Sequence, residues 1–147
     1  MPRAVLSDTG VLGALTHPKT YKEARAWLQR LLEAGSLVYI PEIADYELRR
    51  ELLCRDDEEG IRRLNDLKNT LGYICITTDA MLWAAALWAQ ARRGGYPAAG
   101  DLALDGDVIL AAQARQVEQE GFEIVVATTN VGHLERFVAA RKWQDLT

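Results

Sequence analysis

The 147-residue chain has 49% apolar residues, which predicts one domain with a buried core over residues 1–147 and excludes an intrinsically disordered protein. Its net charge of −4 argues against broad, non-specific binding of nucleic acid, because such binding depends on an excess of Lys and Arg. The charge does not exclude a protein that meets phosphate through a cation held by acidic residues. Cys54 and Cys75 have no zinc or disulfide spacing, and the longest apolar run, Met81–Ala89, is too short to span a membrane. We therefore expect a cytoplasmic protein.

Short apolar runs alternate with longer stretches in which apolar residues repeat every three or four positions. The first pattern is typical of buried strands and the second of helices. In chain order we predict a strand Ala4–Leu6, a helix Tyr21–Ala34, a strand Leu37–Ile40, a helix from Pro41 to about Cys54, a helix Asp57–Leu71, a strand Tyr73–Ile76, a helix capped by Asp79 that runs to about Arg92, a loop Tyr96–Asp101, a helix from Asp105 or Gly106 to about Gln119, a strand Glu123–Ala127 and a short helix from Asn130 to Phe137. This alternation predicts an α/β domain with a mainly parallel sheet.

Polar residues follow three of the predicted strands. Asp8 comes after the first strand, Glu47 about one helical turn past the second, and Asn130 after the fourth. Ligands of parallel sheets gather at these strand ends. Each residue also has a structural interpretation that is favoured when it is considered alone: Asp8 and Asn130 as helix N-caps, and Glu47 as a solvated or ion-paired side chain. His133 has no His or Cys partner at zinc spacing, and we expect it to be an ordinary helix residue.

Three acids, Asp101, Asp105 and Asp107, crowd the start of the predicted helix in LDGDVILAAQA. The segment after them is apolar on most sides, which predicts a mostly buried helix. The positive end of the helix dipole accounts for one acid in the first turn. Three acids at a buried helix start cost free energy unless a cation offsets their charge. This crowding favours a functional interpretation over a structural one.

The order of these segments resembles the PIN domain family, and most closely the VapC-type ribonuclease toxins of toxin–antitoxin pairs. The resemblance spans nearly the whole chain and rests on VLSDTGVL around Asp8, ADYEL around Glu47, DGDVILAAQA around Asp107 and VVATTNVGHL around Asn130. It implies a PIN-like, Rossmann-like α/β fold, in which a mainly parallel sheet is flanked by helices in a three-layer sandwich.

The resemblance also implies an activity, namely metal-dependent hydrolysis of RNA phosphodiester bonds by an endoribonuclease that acts as the toxin of a toxin–antitoxin pair. Asp8, Glu47 and Asp107 match three family acids, which are catalytic and bind Mg²⁺ or Mn²⁺. Thr9, Thr129 and Asn130 would support them. The implied partners are RNA (single-stranded or tRNA-like), a protein antitoxin and a second copy in a homodimer, with no membrane.

The chain departs from the family pattern at two positions. Gly10 stands where family members commonly have Asn, and Asn130 stands where the fourth acid is often Asp. We expect Asp105 to supply the missing carboxylate as a further metal ligand. The alternative function is a catalytically weak or inactive PIN-like domain that binds RNA or protein.

Other α/β phosphotransfer folds lack their signatures here. A haloacid-dehalogenase-type phosphatase needs DxD after the first strand, where this chain has Asp8-Thr9-Gly10, and no P-loop motif is present. A receiver domain needs an acidic pair before the first strand's Asp and a late Lys, and neither is evident.

Two further features concern partners. Arg49 and Arg50, on the predicted helix of Glu47, are the basic residues best placed to reach a phosphate near the metals. The segment MLWAAALWAQA contains Trp83 and Trp88 and has more large apolar residues than one core-facing stripe needs. Ordinary packing is the favoured interpretation, and the alternative is a homodimer face or an antitoxin groove, which full burial of both tryptophans would exclude.

Overall fold

The computed structural model describes residues 3–95 and 101–146. In chain order the elements are β1 (Arg3–Ser7), α1 (Thr9–Thr16), α2 (Tyr21–Glu33), β2 (Leu37–Pro41), α3 (Glu42–Cys54), α4 (Glu58–Thr70), β3 (Gly72–Ile74), α5 (Thr78–Arg93), α6 (Asp101–Gln119), β4 (Glu123–Thr128), α7 (Val131–Leu134), β5 (Ala140–Lys142) and a final 3-10 turn, Trp143–Asp145. The predicted loop Tyr96–Asp101 lies outside the described residues except for Asp101, whose backbone begins α6.

Within the described residues the strands form one sheet in the order β3-β2-β1-β4-β5, and every pairing is parallel. The two faces of β1 divide the core. Val5 packs with residues of α1, α2 and α4 on one face, and Ala4 and Leu6 pack with residues of α6 on the other. The α/β three-layer sandwich with a parallel sheet is therefore confirmed.

Helix α5 lies outside α6 and packs on it through small residues. Ala80, Ala84 and Ala91 of α5 form a buried cluster with Val108 and Ala112 of α6. Because α6 packs on the sheet with one side and on α5 with another, its apolar residues cover most of its circumference. The prediction of a mostly buried helix after Asp107 is confirmed.

The start of α6 is a correction to the sequence prediction. The helix begins at Asp101, not at Asp105 or Gly106, so Asp105 and Asp107 lie in its second turn. The helix dipole therefore does not favour the carboxylate of Asp107, because the dipole effect is confined to the terminal turn.

Smaller differences have identifiable causes. The N-cap of α5 is Thr77, whose hydroxyl accepts a hydrogen bond from the amide of Ala80 at 3.1 Å, so Asp79 is not the cap. The strand β5 was not predicted, since it is a three-residue edge strand with an exposed Arg and Lys. Helix α1 was not delimited, because TGVLGALT contains two glycines, and its buried packing outweighs their poor helix propensity.

Candidate metal-dependent nuclease site

Asp8 lies between β1 and α1 and caps the N-terminus of α1. Its Oδ1 accepts a hydrogen bond from the amide of Val11 at 2.9 Å, so the predicted N-cap role is observed. Burial raises the pKa of the Asp8 carboxyl, while hydrogen bonds from the Thr128 hydroxyl and the amides of Val11 and Gly10 act in the opposite direction. The negative charge of Glu47 raises it further. The Asp8 carboxylate is thus held rigidly in a place where its charge is poorly solvated.

Glu47 points from α3 toward the same place. Its Oε1 accepts a hydrogen bond from the Thr9 hydroxyl at 2.8 Å. On α6, a Cβ at Gly106 would come within 2.7 Å of Glu47 Oε2, so the absence of a side chain at Gly106 lets the two helices meet at this carboxylate. Arg50 lies at the outer side, with Nη2 3.8 Å from Glu47 Oε2.

Asp107 completes the group from α6. Burial raises the pKa of its carboxyl to about 6, and the negative charges of Glu47 and Asp8 contribute to that shift. His133 and Arg136 act in the opposite direction through their positive charge. Thr9, next to Asp8 in sequence, binds Glu47, and Gly106, next to Asp107, lies against the same carboxylate, so the fold brings these three predicted residues into one region.

The donor chemistry of this cluster, hereafter the acid cluster (Asp8, Glu47 and Asp107), fits a hard divalent cation. Carboxylate oxygens are the ligands that Mg²⁺ and Mn²⁺ prefer, and burial, which raises the pKa of Asp8 and of Asp107, disfavours their charged forms when no cation is bound. The described residues do not include three or more His, Cys, Asp or Glu side chains that converge as a ready-made ligand set. A cation that keeps several waters needs only one or two direct carboxylates.

Comparison with known proteins identifies solved structures that share this fold. No protein-family model and no curated protein sequence matches the chain. Among solved structures, a chain of VapBC2 from Rickettsia felis, bound to a promoter DNA fragment, is similar at 15% identity and a TM-score of 0.76, over 95% of this chain and 98% of that one. A chain of FitAcB from Neisseria gonorrhoeae is similar at 22% identity and a TM-score of 0.69. A chain of VapBC-1 from nontypeable Haemophilus influenzae is similar at 16% identity and a TM-score of 0.71. Each match covers 97% of this chain and 99% of the other.

The chain has the PIN-like fold of these VapC-type proteins. The predicted resemblance is confirmed at the level of the fold, over nearly the whole chain. In the described part of this PIN-like domain, none of the helices combines the length and apolar character that a membrane span requires.

The predicted supporting residues of the PIN-like domain surround β4's carboxyl end. Asn130 is exposed and caps α7, with its Oδ1 accepting from the amide of Gly132 at 3.2 Å. Thr129 is exposed and packs directly over Gly10, where its side chain fills the space a Cβ would need. Thr9 orients Glu47 as described above. Of these residues, Thr9 has the most direct contact with the acid cluster.

Asp105 lies apart from the acid cluster. It is exposed and lines a shallow groove between α5 and α6 with Met81, Trp88 and Val108. It is not among the charges that act on Asp8 or Asp107. The role of Asp105 as a substitute metal ligand stays a prediction. The side chain of Asp101 lies outside the described part of the chain.

The two predicted RNA-binding arginines differ. Arg49 is held by Asp45, with Nη2 3.0 Å from Oδ1, and its Nη1 donates to Asn65 Oδ1 at 2.8 Å. Asp45 is buried and also accepts a hydrogen bond from the Tyr73 hydroxyl at 2.7 Å, and burial together with that bond raises the pKa of the Tyr73 hydroxyl. Arg50 is half-exposed beside Glu47. Of these two predicted arginines, Arg50 therefore lies nearer to the acid cluster.

Three residues near the acid cluster were not predicted as site residues. Thr128 is buried and lowers the pKa of Asp8, and its hydroxyl donates to the carbonyl of Asn130 at 3.1 Å, whereas the adjacent Thr129 was the residue predicted from the sequence. His133 and Arg136 act on Asp107, although His133 was expected to be an ordinary helix residue. The signal for Thr128 was the alternation of β4, which places it on the same face of the sheet as Val126 and opposite to Ala127 and Thr129.

Proposed function

We propose that this chain is a metal-dependent endoribonuclease that hydrolyses RNA phosphodiester bonds with Mg²⁺ or Mn²⁺. The observation that carries the proposal is the meeting of Asp8, Glu47 and Asp107, from three elements, at the carboxyl end of a parallel sheet. Burying like charges together costs free energy that a bound cation offsets. The likeness to VapC-type chains in fold supports the same conclusion.

Asp8 and Asp107 would hold the cation, because both carboxylates are fixed by helices and partly desolvated. When bound, a divalent ion lowers the pKa of water and offsets charge that grows on phosphate oxygens. Glu47, oriented by Thr9, would accept hydrogen bonds from water in the outer shell. The Asp8 carboxylate cannot rotate freely, since the Val11 amide binds it.

The likeness in fold also supports a place in a toxin–antitoxin pair, with this chain as the toxin and a protein antitoxin as its partner. The similar chains occur in structures named VapBC and FitAB, three of which hold DNA. A single-stranded or tRNA-like RNA is the substrate class we propose. Growth of a host that expresses the chain, with and without the product of the adjacent gene, tests the toxin assignment separately from the chemistry.

The decisive experiment compares wild type with Asp8→Asn, Asp107→Asn and Glu47→Gln on single-stranded RNA in Mg²⁺ or Mn²⁺. We expect each substitution to lower the cleavage rate by about 100-fold or more, since each removes an anionic ligand or orienting group. Arg30→Gln, on the exposed face of α2, is the control for purification. Cleavage by the Asp8→Asn/Asp107→Asn protein at the wild-type rate would contradict the proposal.

The second candidate function is a PIN-like domain that binds RNA or protein with little or no catalysis. It is favoured by one observation, namely that no three acids of the described residues form a ready-made metal site. Calorimetric titration with Mn²⁺ separates the two functions. A nuclease binds the ion at a site that Asp107→Asn weakens, and a binding module gives no heat above that of dilution.

A further inference from the structure

Tyr46, on α3, is an exposed aromatic residue beside the acid cluster. Its side chain is 57% exposed, and it directly precedes Glu47 in the sequence. Of the Phe, Tyr and Trp side chains in residues 3–95 and 101–146, only Tyr46 and Trp83 are exposed. Trp83 belongs to α5, where the guanidinium carbon of Arg115 lies 3.7 Å from its ring centre. A single exposed apolar residue needs no functional explanation, so the contacts of Tyr46 decide its interpretation.

Arg50 joins the ring of Tyr46 to the acid cluster. It stands four residues after Tyr46 and three after Glu47, and both spacings place side chains next to each other on a helix. Its guanidinium carbon lies 5.0 Å from the centre of the Tyr46 ring, and its Nη2 lies 3.8 Å from Glu47 Oε2. The Thr9 hydroxyl binds the other oxygen of that carboxylate at 2.8 Å. One guanidinium group therefore lies against both the ring and a carboxylate of the acid cluster.

Tyr46 and Arg50 keep free surface for a ligand. The Arg50 side chain is 49% exposed, and its distance from the ring is within the range of cation–π attraction. The neighbouring Arg49 instead uses its donors on Asp45 and Asn65. A tyrosine side chain has few torsions to fix, so little entropy is lost when its ring binds a partner. The pair thus offers a flat aromatic surface and a positive charge side by side.

A nucleotide of a single strand matches both features. Its base has a π-face, its phosphate is negative, and proteins bind single strands by stacking bases on aromatic side chains beside basic groups. The net charge of the chain is −4, so ionic attraction to RNA is weak over the molecule as a whole. Stacking supplies an attraction that does not depend on net charge. An exposed ring next to the acid cluster is therefore well suited to hold a strand there.

We propose that Tyr46 stacks on one base of the RNA strand whose scissile bond lies at the acid cluster, while Arg50 binds a neighbouring phosphate. The inference rests on the proposed function for its substrate class. A base paired within a duplex is stacked on its neighbours and has no free face, so the contact requires an unpaired nucleotide. The site would bind single-stranded RNA more tightly than a duplex of the same sequence.

The test measures RNA binding without cleavage. Asp8→Asn protein in EDTA is titrated into a labelled single-stranded RNA of about 12 nucleotides, and affinity is followed against salt concentration. Adding Tyr46→Ala should weaken binding about tenfold, as for the loss of one stacked base, and should leave the slope of log K against log salt unchanged, because no charge is removed. Tyr46→Leu should weaken binding similarly, since it keeps apolar bulk without a ring, and Tyr46→Phe should stay within about twofold. Arg50→Gln should reduce the slope by about 0.7, the value for one phosphate contact.

A series of strands, each with one abasic nucleotide, tests whether the ring contacts a base. At one position the loss of the base should weaken binding to the parent protein and have little effect on the Tyr46→Ala protein, because the partner of that base is already missing. If the losses from Tyr46→Ala and from the abasic nucleotide add at every position, the ring and the bases do not interact and the proposal is overturned.

The matched control is Leu53→Ala, which removes an apolar side chain that is 60% exposed on the same helix. It should leave RNA affinity within about twofold of the parent protein, and a loss equal to that of Tyr46→Ala would overturn the proposal. The proposal is also overturned if Tyr46→Ala leaves RNA affinity unchanged and weakens binding of the adjacent gene's product, which would assign Tyr46 to a protein interface. Since every titration is done without catalysis, a failed cleavage assay bears on the proposed nuclease alone, and unchanged RNA binding bears on Tyr46 alone.

Discussion

Two carboxyl groups of the acid cluster, those of Asp8 and Asp107, have raised pKa values in the folded chain, and burial is the main cause for both. The ionised carboxylates are therefore costly to the fold, yet the ionised form is the one that a cation binds. Asp8 satisfies the N-terminus of α1 as a cap, which contributes stability. Asp107 sits in the second turn of α6 without that benefit. A residue that is costly to the fold at this position is typical of a functional site.

The pKa of Asp107 predicts how the stability of the metal-free protein depends on pH. Between the ordinary value near 3.9 and about 6, the folded chain binds a proton that the unfolded chain has lost, so lowering the pH through this range stabilises the fold. We expect metal-free wild type to unfold at a higher urea concentration at about pH 5 than at about pH 7.5.

Asp107→Asn should reduce this difference and stabilise the metal-free protein at the higher pH. Glu118→Gln, which removes an exposed acid from the same helix, is the control for the change in net charge. Addition of Mn²⁺ should raise the stability of wild type at the higher pH, because the ion binds the ionised form. If Asp107→Asn left the dependence of stability on pH unchanged, that dependence could not be assigned to the raised pKa of Asp107.

Gly106 permits the close approach of α6 to Glu47, so Gly106→Ala should displace that carboxylate. The new Cβ would lie 2.7 Å from Glu47 Oε2 and would disturb the bond from Thr9. We expect the affinity for Mn²⁺ to fall about tenfold, as is usual when a group that orients a ligand shell is moved. Gly13→Ala, on α1, is the control, since nothing lies within 4 Å of its Cβ position, and it should leave Mn²⁺ affinity unchanged.

Among the elements, α6 is held to the sheet by a side chain that the sequence argument did not select. Gln113 is fully buried in α6. Its Oε1 accepts from the amide of Ile43 at 3.1 Å, and its Nε2 donates to the carbonyl of Ile74 at 2.6 Å. One amide thus joins α6 to the first turn of α3 and to the end of β3. Since Asp107 lies on α6 and Glu47 on α3, Gln113 sets the distance between the helices of the acid cluster.

Gln113→Leu keeps the volume of the side chain and removes both hydrogen bonds. It leaves a buried amide and a buried carbonyl without a partner, which should lower the free energy of unfolding by about 3 kcal/mol. Gln119→Leu, at the exposed end of α6, should change it by less than about 0.5 kcal/mol. Denaturant unfolding monitored by circular dichroism measures both, and equal effects would show that Gln113 does not join the elements.

On the scale of the whole molecule, α5 presents an apolar surface to solvent. Leu82 is 66% exposed, Met81 46% and Trp83 37%, and the guanidinium carbon of Arg115 lies 3.7 Å from the centre of the Trp83 ring. Trp88 is partly buried against α6. Ordinary packing thus accounts for Trp88, while Trp83 is not fully buried and the interface interpretation stays a prediction. Exposed apolar residues that adjoin one another are typical of interfaces.

We expect this surface of α5 to form the homodimer interface. Leu82→Glu would place a charge in its centre, so wild type should sediment as a dimer at micromolar concentration and the variant as a monomer. Leu53→Glu changes an equally exposed leucine on α3 and should leave the dimer intact. A monomeric wild type, or a dimeric Leu82→Glu protein, would contradict the assignment.

The sequence by itself determined the type of fold and predicted acids for the candidate site. Apolar runs separated by helical periodicity indicated a parallel α/β sheet, and the strand ends marked Asp8 and Asn130, because these patterns depend on neighbours within one or two turns. The end of α2 is also set locally, since Gly35, which follows the helix, has a positive φ of +87° that glycine adopts readily. What remained open was any property that depends on which elements meet.

Only the tertiary structure decided which residues share the acid cluster. Residues two apart on a helix point about 200° from each other. Asp107 therefore lies where the charges of Glu47 and Asp8 act on it, while Asp105 lines the groove between α5 and α6. Thr128 and Gln113 were likewise outside the reach of sequence patterns. Their partners lie far away along the chain, and packing of the two helical layers on one sheet sets those contacts.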